Sequence, residues 1–350
     1  MKKYLFLVSL TYGFPIMRPL QNAIRARGGE AAWFFDEPGL ERYLDADERH
    51  LKTVEDVMEY RPDAVFTAGD HMYHFFPGIK VEVFHGFDID KRPGRFPSAL
   101  TIRGWFDLYC ANDCRTLERL TPLAEEYGNF RVVQTGWPKL DAFFDSSGNI
   151  PQPCNVRPVI LYSSTFTTWI TSTPYLYDEI SRLARERDWE WIITFHPKMD
   201  PATIERYKAL SMELPNVAFY EGDDNVPILE KADVMLCDSS SIIFEFLYLD
   251  KPVVTFRNTM PGDYLIDIDD PAMLESSLET ALERPADLMS RIREKMDSMH
   301  PQRDGKSSER VLAAVDDFWA NWQGRLRKKK VDLFRRFKAR RRLGYYKRIR

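Results

Sequence analysis

The sequence predicts an α/β protein made of two doubly wound, Rossmann-like domains that face each other across a cleft. Three observations predict it. Apolar runs of strand length alternate with amphipathic stretches of helical length along most of the 350 residues. The alternation breaks and restarts once, at Asp145-Ser146-Ser147-Gly148-Asn149-Ile150-Pro151-Gln152-Pro153, which is rich in turn residues and has no periodicity. Polar residues fall where strands should end, and open parallel sheets bind ligands outside those carboxyl ends.

Taken in order, Tyr4 to Leu10 reads as a buried strand, and Met17 to Arg27 as a helix closed by Gly28-Gly29. Ala31 to Phe35 is a second strand, and Val54 to Tyr60 is helical before the strand Ala64-Val65-Phe66-Thr67. Val81 to Phe84 precedes His85-Gly86, and Leu108-Tyr109-Cys110 precedes a helix over Thr116 to Tyr127. Arg131 to Thr135 then leads into Gly136-Trp137-Pro138. After the linker come the strand Pro158 to Tyr162, the helix Tyr175 to Asp188 and the strand Trp191 to Phe195. The helix Pro201 to Leu210, the strands Val217 to Tyr220 and Val234 to Leu236, a helix from Ile242 to Leu249 and the strand Pro252 to Phe256 complete the series. The expected domains are therefore 1–150 and 151–318, followed by a basic tail, 319–350.

Composition bounds the function classes. At 350 residues the chain is long for one core and suits two domains, and 44% hydrophobic residues fill them. No apolar stretch approaches the roughly 20 residues of a membrane-spanning helix. Met1-Lys2-Lys3 followed by Tyr4 to Leu10 is superficially like a signal peptide, but the run is short and Thr11-Tyr12-Gly13-Phe14-Pro15 offers no small-residue cleavage site. Cys110, Cys114, Cys154 and Cys237 form neither metal-type pairs nor a disulfide framework, which fits a reducing cytoplasm; no metal or cofactor is expected.

The formal charge of −4 hides an asymmetry. From Arg325 to Arg350, 14 Lys and Arg stand against the single acid Asp332, so the preceding body is acidic. Leu326, Val331, Leu333, Phe334, Phe337, Leu343, Tyr345, Tyr346 and Ile349 are interleaved with these cations. That pattern suits an anionic membrane surface, with the apolar stripe in the interface and the cations on headgroups. A nucleic-acid arm and a disordered solubilising tail are the competing readings. The aromatic and aliphatic content favours the membrane, and no nucleic-acid partner is expected.

Three strand ends carry chemistry. At Cys237-Asp238-Ser239-Ser240-Ser241 a strand passes through hydroxyls into a helix, the layout of a phosphate cradle, with Glu245 placed to accept from ribose hydroxyls. Plain helix capping by Asp238 and the serines is the bland alternative. His85-Gly86 and His196-Pro197 each follow an apolar run in the same way; Gly86 removes bulk beside His85, and Pro197 ends the strand after His196.

These residues carry a resemblance. His85-Gly86, Thr135-Gly136-Trp137-Pro138-Lys139-Leu140-Asp141, Tyr162-Ser163-Ser164-Thr165-Phe166, His196-Pro197, Asp238-Ser239-Ser240 with Lys251-Pro252, and Asp304-Gly305-Lys306-Ser307-Ser308-Glu309-Arg310 together resemble the CDP-glycerol glycerophosphotransferases, the teichoic acid polymerase and primase family. The matches run in the family's order from His85 to Arg310. The resemblance implies a GT-B fold, a CDP-glycerol donor in the C-terminal domain, a glycan or lipid-linked acceptor, release of CMP, and peripheral attachment to the inner face of a bacterial cytoplasmic membrane.

Roles follow as expectations. His85 is the general base for the acceptor hydroxyl, and His196 hydrogen-bonds the donor pyrophosphate as a second catalytic group. Ser239, Ser240 and Ser241, with the helix N-terminus, stabilise charge on the departing phosphate without a metal, and Thr165 adds a donor. Lys306 and Arg310 either neutralise a phosphate or pair with the acidic body. The family commonly follows Trp-His-Gly-Thr-Pro with a basic residue. Here the run is Phe84-His85-Gly86-Phe87-Asp88-Ile89-Asp90-Lys91-Arg92, so the acceptor side is altered, and Asp88 and Asp90 either contact a sugar or decorate a loop. The long N-terminal additions of some polymerases are not present, so single transfer and polymerisation both stay open. A GT-B glycosyltransferase using a nucleotide sugar in cell-envelope polysaccharide synthesis is the alternative enzyme. A UDP-sugar 2-epimerase and a noncatalytic basic-tailed adaptor are the other classes.

Overall fold

The computed structural model describes residues 1–87, 102–145, 147–196, 198–222 and 224–347. Pro197, Asp88 and Asp90 lie outside them. The chain divides into two compact units. The first takes the described residues up to 144 together with 302–347, and the second takes 145–301.

The first unit is a six-stranded parallel sheet of β1 (Lys3–Val8), β2 (Glu30–Phe35), β3 (Ala64–Thr67), β4 (Ile79–Glu82), β5 (Leu108–Ala111) and β6 (Arg131–Gln134), in the order β2-β1-β3-β4-β5-β6. Leu5, Phe6 and Leu7 are all fully buried, as expected when helices cover both faces of a sheet and strand sequences become continuous apolar runs rather than alternations. The helix Val54–Tyr60 starts at a reciprocal capping box between Thr53 and Asp56. Strand order reverses between β1 and β3, the switch point of this sheet.

The second unit repeats the plan with β7 (Val159–Ser164), β8 (Glu190–Phe195), β9 (Val217–Phe219), β10 (Val234–Cys237), β11 (Val253–Phe256) and β12 (Ile266–Ile268), ordered β12-β11-β10-β7-β8-β9 and parallel throughout. Its switch point falls between β7 and β10, where Cys237 is paired with Ser163. Helices Leu274–Glu283 and Ala286–Met299 follow β12.

Two expectations are corrected. The second unit does not run to 318, and the described residues of the expected tail, 319–347, belong to the first unit. The helix Ser307–Asp317 buries Val311, Leu312 and Val315 within the first unit, with Lys2 paired to Asp316 at 2.6 Å and Tyr4 against Trp319. Further on, the helix Leu333–Arg342 is docked through Ala339, Leu343 and Tyr345, whose ring stacks on Phe75 at 5.1 Å. The strand before His85 is also displaced: β4 ends at Glu82, and Val83 and Phe84 lie beyond it.

Candidate functional site

Each unit collects polar groups at the carboxyl ends of its strands. In the second unit the centre is Asp238, immediately after β10 and fully buried. Its carboxylate accepts from the Ser164 hydroxyl at 2.5 Å, the Thr165 N–H at 3.1 Å, and the Ser172 N–H and hydroxyl at 3.2 and 3.3 Å. A buried carboxylate is costly without such partners, and this set ties the β7 loop to the β10 loop across the switch point. Burial pushes the Asp238 pKa up, opposed by the bonds from Ser164, Thr165 and Ser172.

This wiring rejects plain capping. The helix Ile242–Tyr248 starts without any side-chain cap at Ser241, because Asp238 faces the other way and the Ser239 hydroxyl accepts from the Thr259 N–H at 2.9 Å. Among the described residues the hydroxyls of Ser240, Ser241 and Thr165 have no hydrogen-bond partner, and all three residues are half-buried. Glu245 is buried and stands one helical turn beyond Ser241, on the same face. Next to β7, at the end of β8, His196 is exposed, and its ring lies 4.4 Å from that of Phe166. The Lys198 N–H donates to His196 Nδ1 at 3.1 Å, which places the proton of the neutral ring on Nε2. Thr165, His196, Ser239, Ser240, Ser241 and Glu245 thus belong to one unit and to the ends of three adjacent strands.

His85 belongs to the first unit. Phe84 holds a positive φ of 58° with its ring buried, a conformation that costs a phenylalanine on the order of 1–3 kcal/mol and turns the chain so that His85 is exposed. Neighbouring strand ends pin the turn: Trp137 Nε1 donates to the Phe84 carbonyl at 3.2 Å, and Asn112 Nδ2 to the Gly86 carbonyl at 2.7 Å. His85 Nδ1 lies 3.2 Å from the Ala68 carbonyl, so here the proton sits on Nδ1 and Nε2 carries the lone pair.

Lys306 and Arg310 also lie in the first unit. Arg310 donates to both oxygens of Asp304 at 3.0 and 2.8 Å and to the Thr135 carbonyl at 2.8 Å, while Asp141 accepts from the Ser307 and Ser308 N–H groups at 2.8 and 2.6 Å. The two motifs are halves of one joint, which favours the pairing role for Arg310; the Lys306 side chain is exposed. Lys251 is likewise structural: buried beneath the sheet, it donates to the carbonyls of Leu229 and Glu230 at 2.9 and 2.6 Å, and burial pushes its pKa down to about 8.

Sequence reading missed a second cluster at the switch point of the first sheet. Asp36, after β2, accepts from the Tyr73 hydroxyl at 2.7 Å and meets His71 Nε2 at 2.8 Å, while Ser9, after β1, lies 3.4 Å from the same nitrogen. Burial raises the Asp36 pKa, but the bonds from His71, Ser9 and Tyr73 outweigh it and hold the carboxyl below its ordinary value. The strand-end rule that selected His85 would have selected Asp36, directly after the strand Ala31 to Phe35, whereas Ser9 was read inside its strand and His71 lies four residues past Thr67. Among the described residues no three His, Cys, Asp or Glu gather as a metal site.

Two parallel sheets of this topology, each with polar groups gathered at the carboxyl ends of its strands, define a doubly wound α/β fold of the GT-B kind. The model of the CDP-glycerol:poly(glycerophosphate) glycerophosphotransferase family matches residues 123–317, more than half of the chain, and the chain belongs to that family. A curated relative, the teichoic acid glycerol-phosphate primase of Bacillus subtilis (strain 168), is 22% identical over 204 residues, 53% of this chain and 51% of the relative. The chain thus spans about half the length of the curated relative it matches. Among solved structures, a variant of the wall teichoic acid polymerase TagF soaked with CDPG is 15% identical with a TM-score of 0.62, over 92% of this chain and 90% of that one. The UDP-GlcNAc 2-epimerase of Neisseria meningitidis bound to UDP-GlcNAc is 16% identical with a TM-score of 0.58, over 90% and 100%. At these identities the likeness is one of fold.

Proposed function

We propose that this chain transfers glycerol phosphate from CDP-glycerol to a hydroxyl of a membrane-associated glycan or lipid-linked acceptor, releasing CMP. The observation that carries the reading, in a chain of this family, is the opposite hydrogen bonding of the two strand-end histidines. His85 offers a lone pair on Nε2, as a general base requires, and takes the proton of the acceptor hydroxyl. The hydroxyl oxygen bonds to the glycerol-bearing phosphorus, the anhydride bond breaks, and CMP leaves with the bridging oxygen. His196 offers Nε2–H, as a pyrophosphate oxygen requires. The unpartnered hydroxyls of Thr165, Ser240 and Ser241 supply further donors, Glu245 accepts from ribose, and Ser239 braces the turn. The soaking of the TagF variant with CDPG favours the cytidine donor.

The site of action we assign is the inner face of a bacterial cytoplasmic membrane, approached from the cytoplasm. Among the described residues no helix is long and apolar enough to cross a membrane. Leu333, Phe334 and Phe337, on the C-terminal basic helix, are 76%, 79% and 55% exposed, as insertion into an interface requires.

The test is CMP release from CDP-glycerol, with and without membrane extract, by the wild type and His85→Ala. Release that depends on extract and is lost in a folded variant supports the reading. Folded wild type that releases no CMP turns the assignment to a nucleotide-sugar transferase, and an isomerised sugar without acceptor turns it to an epimerase.

A further inference from the structure

A cavity of about 180 Å³ lies in the first unit between the body and the C-terminal segment. Among the described residues its lining carries six cationic side chains, Lys80, Arg103, Lys329, Lys330, Arg335 and Arg336, against two carboxylates. Asp107 pairs with Lys329 at 2.5 Å, Asp332 with Arg335 at 3.5 Å, and Arg103 pairs outward with Asp70. Lys80, Lys330 and Arg336 are left with no carboxylate in ion-pair reach among the described residues. The His74 ring joins them, and its buried Nδ1 has no hydrogen-bond partner.

Charge without a carboxylate is costly in a half-buried place, and Lys80, whose ammonium donates among the described residues only to the Gly78 carbonyl, and His74 register it. Burial pushes the Lys80 pKa down to about 8, with Lys329 adding and Asp107 opposing. Burial, then Arg336, Arg340 and Lys80, pushes His74 down to about 4, so it stands as a neutral imidazole. A bound anion relieves each of these costs. Planar guanidinium and compact ammonium donors together suit a phosphate group. The helix that brings Arg335 and Arg336 to the cavity also turns Leu333, Phe334 and Phe337 to the outside, with Tyr346 59% exposed beside Phe337. Free phosphate has no use for those side chains, whereas acyl chains do.

We propose that this cavity is a binding site for the headgroup phosphate of an anionic phospholipid, seated while the neighbouring apolar side chains enter the interface. The proposal rests on the membrane-surface reading of the C-terminal segment and is independent of the donor chemistry.

The experiment compares the wild type, Lys330→Gln/Arg336→Gln, and Leu333→Ser/Phe334→Ser in three measurements: sedimentation with phosphatidylcholine vesicles with or without phosphatidylglycerol, the His74 pKa by NMR with inorganic phosphate, and CMP release with a detergent-solubilised membrane extract that supplies acceptor without a membrane surface. The wild type is expected to bind only the anionic vesicles, and phosphate should raise the His74 pKa. The charge variant should bind those vesicles about thirtyfold more weakly and lose the phosphate response. The apolar variant should lose vesicle binding and keep the phosphate response. All three should retain the same CMP release and thermal melting, so a failure of the donor reading, seen as no release by any protein, stays separate. Equal binding of neutral and anionic vesicles by the wild type, or vesicle binding by the charge variant at the wild-type level, overturns the proposal. A phosphate response without any vesicle binding overturns the lipid assignment.

Discussion

His85 and His196 each lie beyond the carboxyl end of a parallel strand, one in each sheet, yet their rings are wired in opposite senses. A backbone carbonyl faces Nδ1 of His85 and a backbone N–H faces Nδ1 of His196. One ring therefore presents a lone pair and the other a proton, and the difference comes from the backbone partner rather than from the side chain. The buried carboxylates of the two switch points differ in the same manner. Asp36 meets an imidazole from the loop after β3 and the Arg342 guanidinium at 3.4 Å and is held below its ordinary range, whereas Asp238 has neutral donors alone and is pushed above it. Strand-end placement selects where chemistry can occur, and local partners decide which kind.

The comparison is easiest to break with His85→Gln. If His85 is the base, as proposed, the variant should lower kcat about 10²- to 10⁴-fold while CMP affinity, measured by calorimetry, stays within about twofold. Matching losses of rate and affinity would erase the distinction between the histidines. Asp238→Ala strands the donors of Ser164, Thr165 and Ser172 and should cost about 3 kcal/mol in denaturant unfolding. An unchanged midpoint would mean that the β7 and β10 loops are not held by this carboxylate. His196→Gln should weaken CMP about tenfold with a smaller change in the rate at saturating donor.

The smallest expected effect is in the acid limb of stability. The Asp36 pKa in the folded protein lies below its ordinary 3.8, so its contribution is complete above that pH and fades as pH falls through the folded value. Asp238 has the opposite sign: its folded pKa is raised, so its contribution improves as pH falls from that raised value toward 3.8. Melting curves should therefore show less acid sensitivity in Asp36→Asn and more in Asp238→Asn than in the wild type. The same direction of change in both variants would contradict the contrast between the two carboxylates.

Much of the fold was legible because buried parallel strands announce themselves as apolar runs: the first sheet and five of the six strands of the second were read with ends displaced by a few residues, and the three-residue strand Ile266–Ile268 was missed. The displacement at β4 had a specific cause. Val83 and Phe84 continue the apolar pattern, but Phe84 adopts a left-handed turn that periodicity cannot express. The helices Leu274–Glu283 and Ala286–Met299 went unread although their apolar spacing was available. The serine turn was legible as a place but not as a network, since the partners of Asp238 are 66 to 74 residues away in the chain. Asp304 to Arg310 illustrates the converse: its charges suggest a ligand, and only the structure gives Arg310 to Asp304 and to the Thr135 carbonyl.

Residues 302–347 return to the unit that begins at the N-terminus, and this sets an order of maturation on the ribosome. The second unit has its full complement of residues once position 301 has emerged, whereas the first, although begun earlier, lacks the Ser307–Asp317 helix and the Tyr345 ring until position 345 has emerged. During that interval its Tyr4 and Phe75 surfaces stand uncovered. The unit that carries His85 is thus the last to be completed, so a nascent chain holds every residue of the unit that carries His196 before the other has its own.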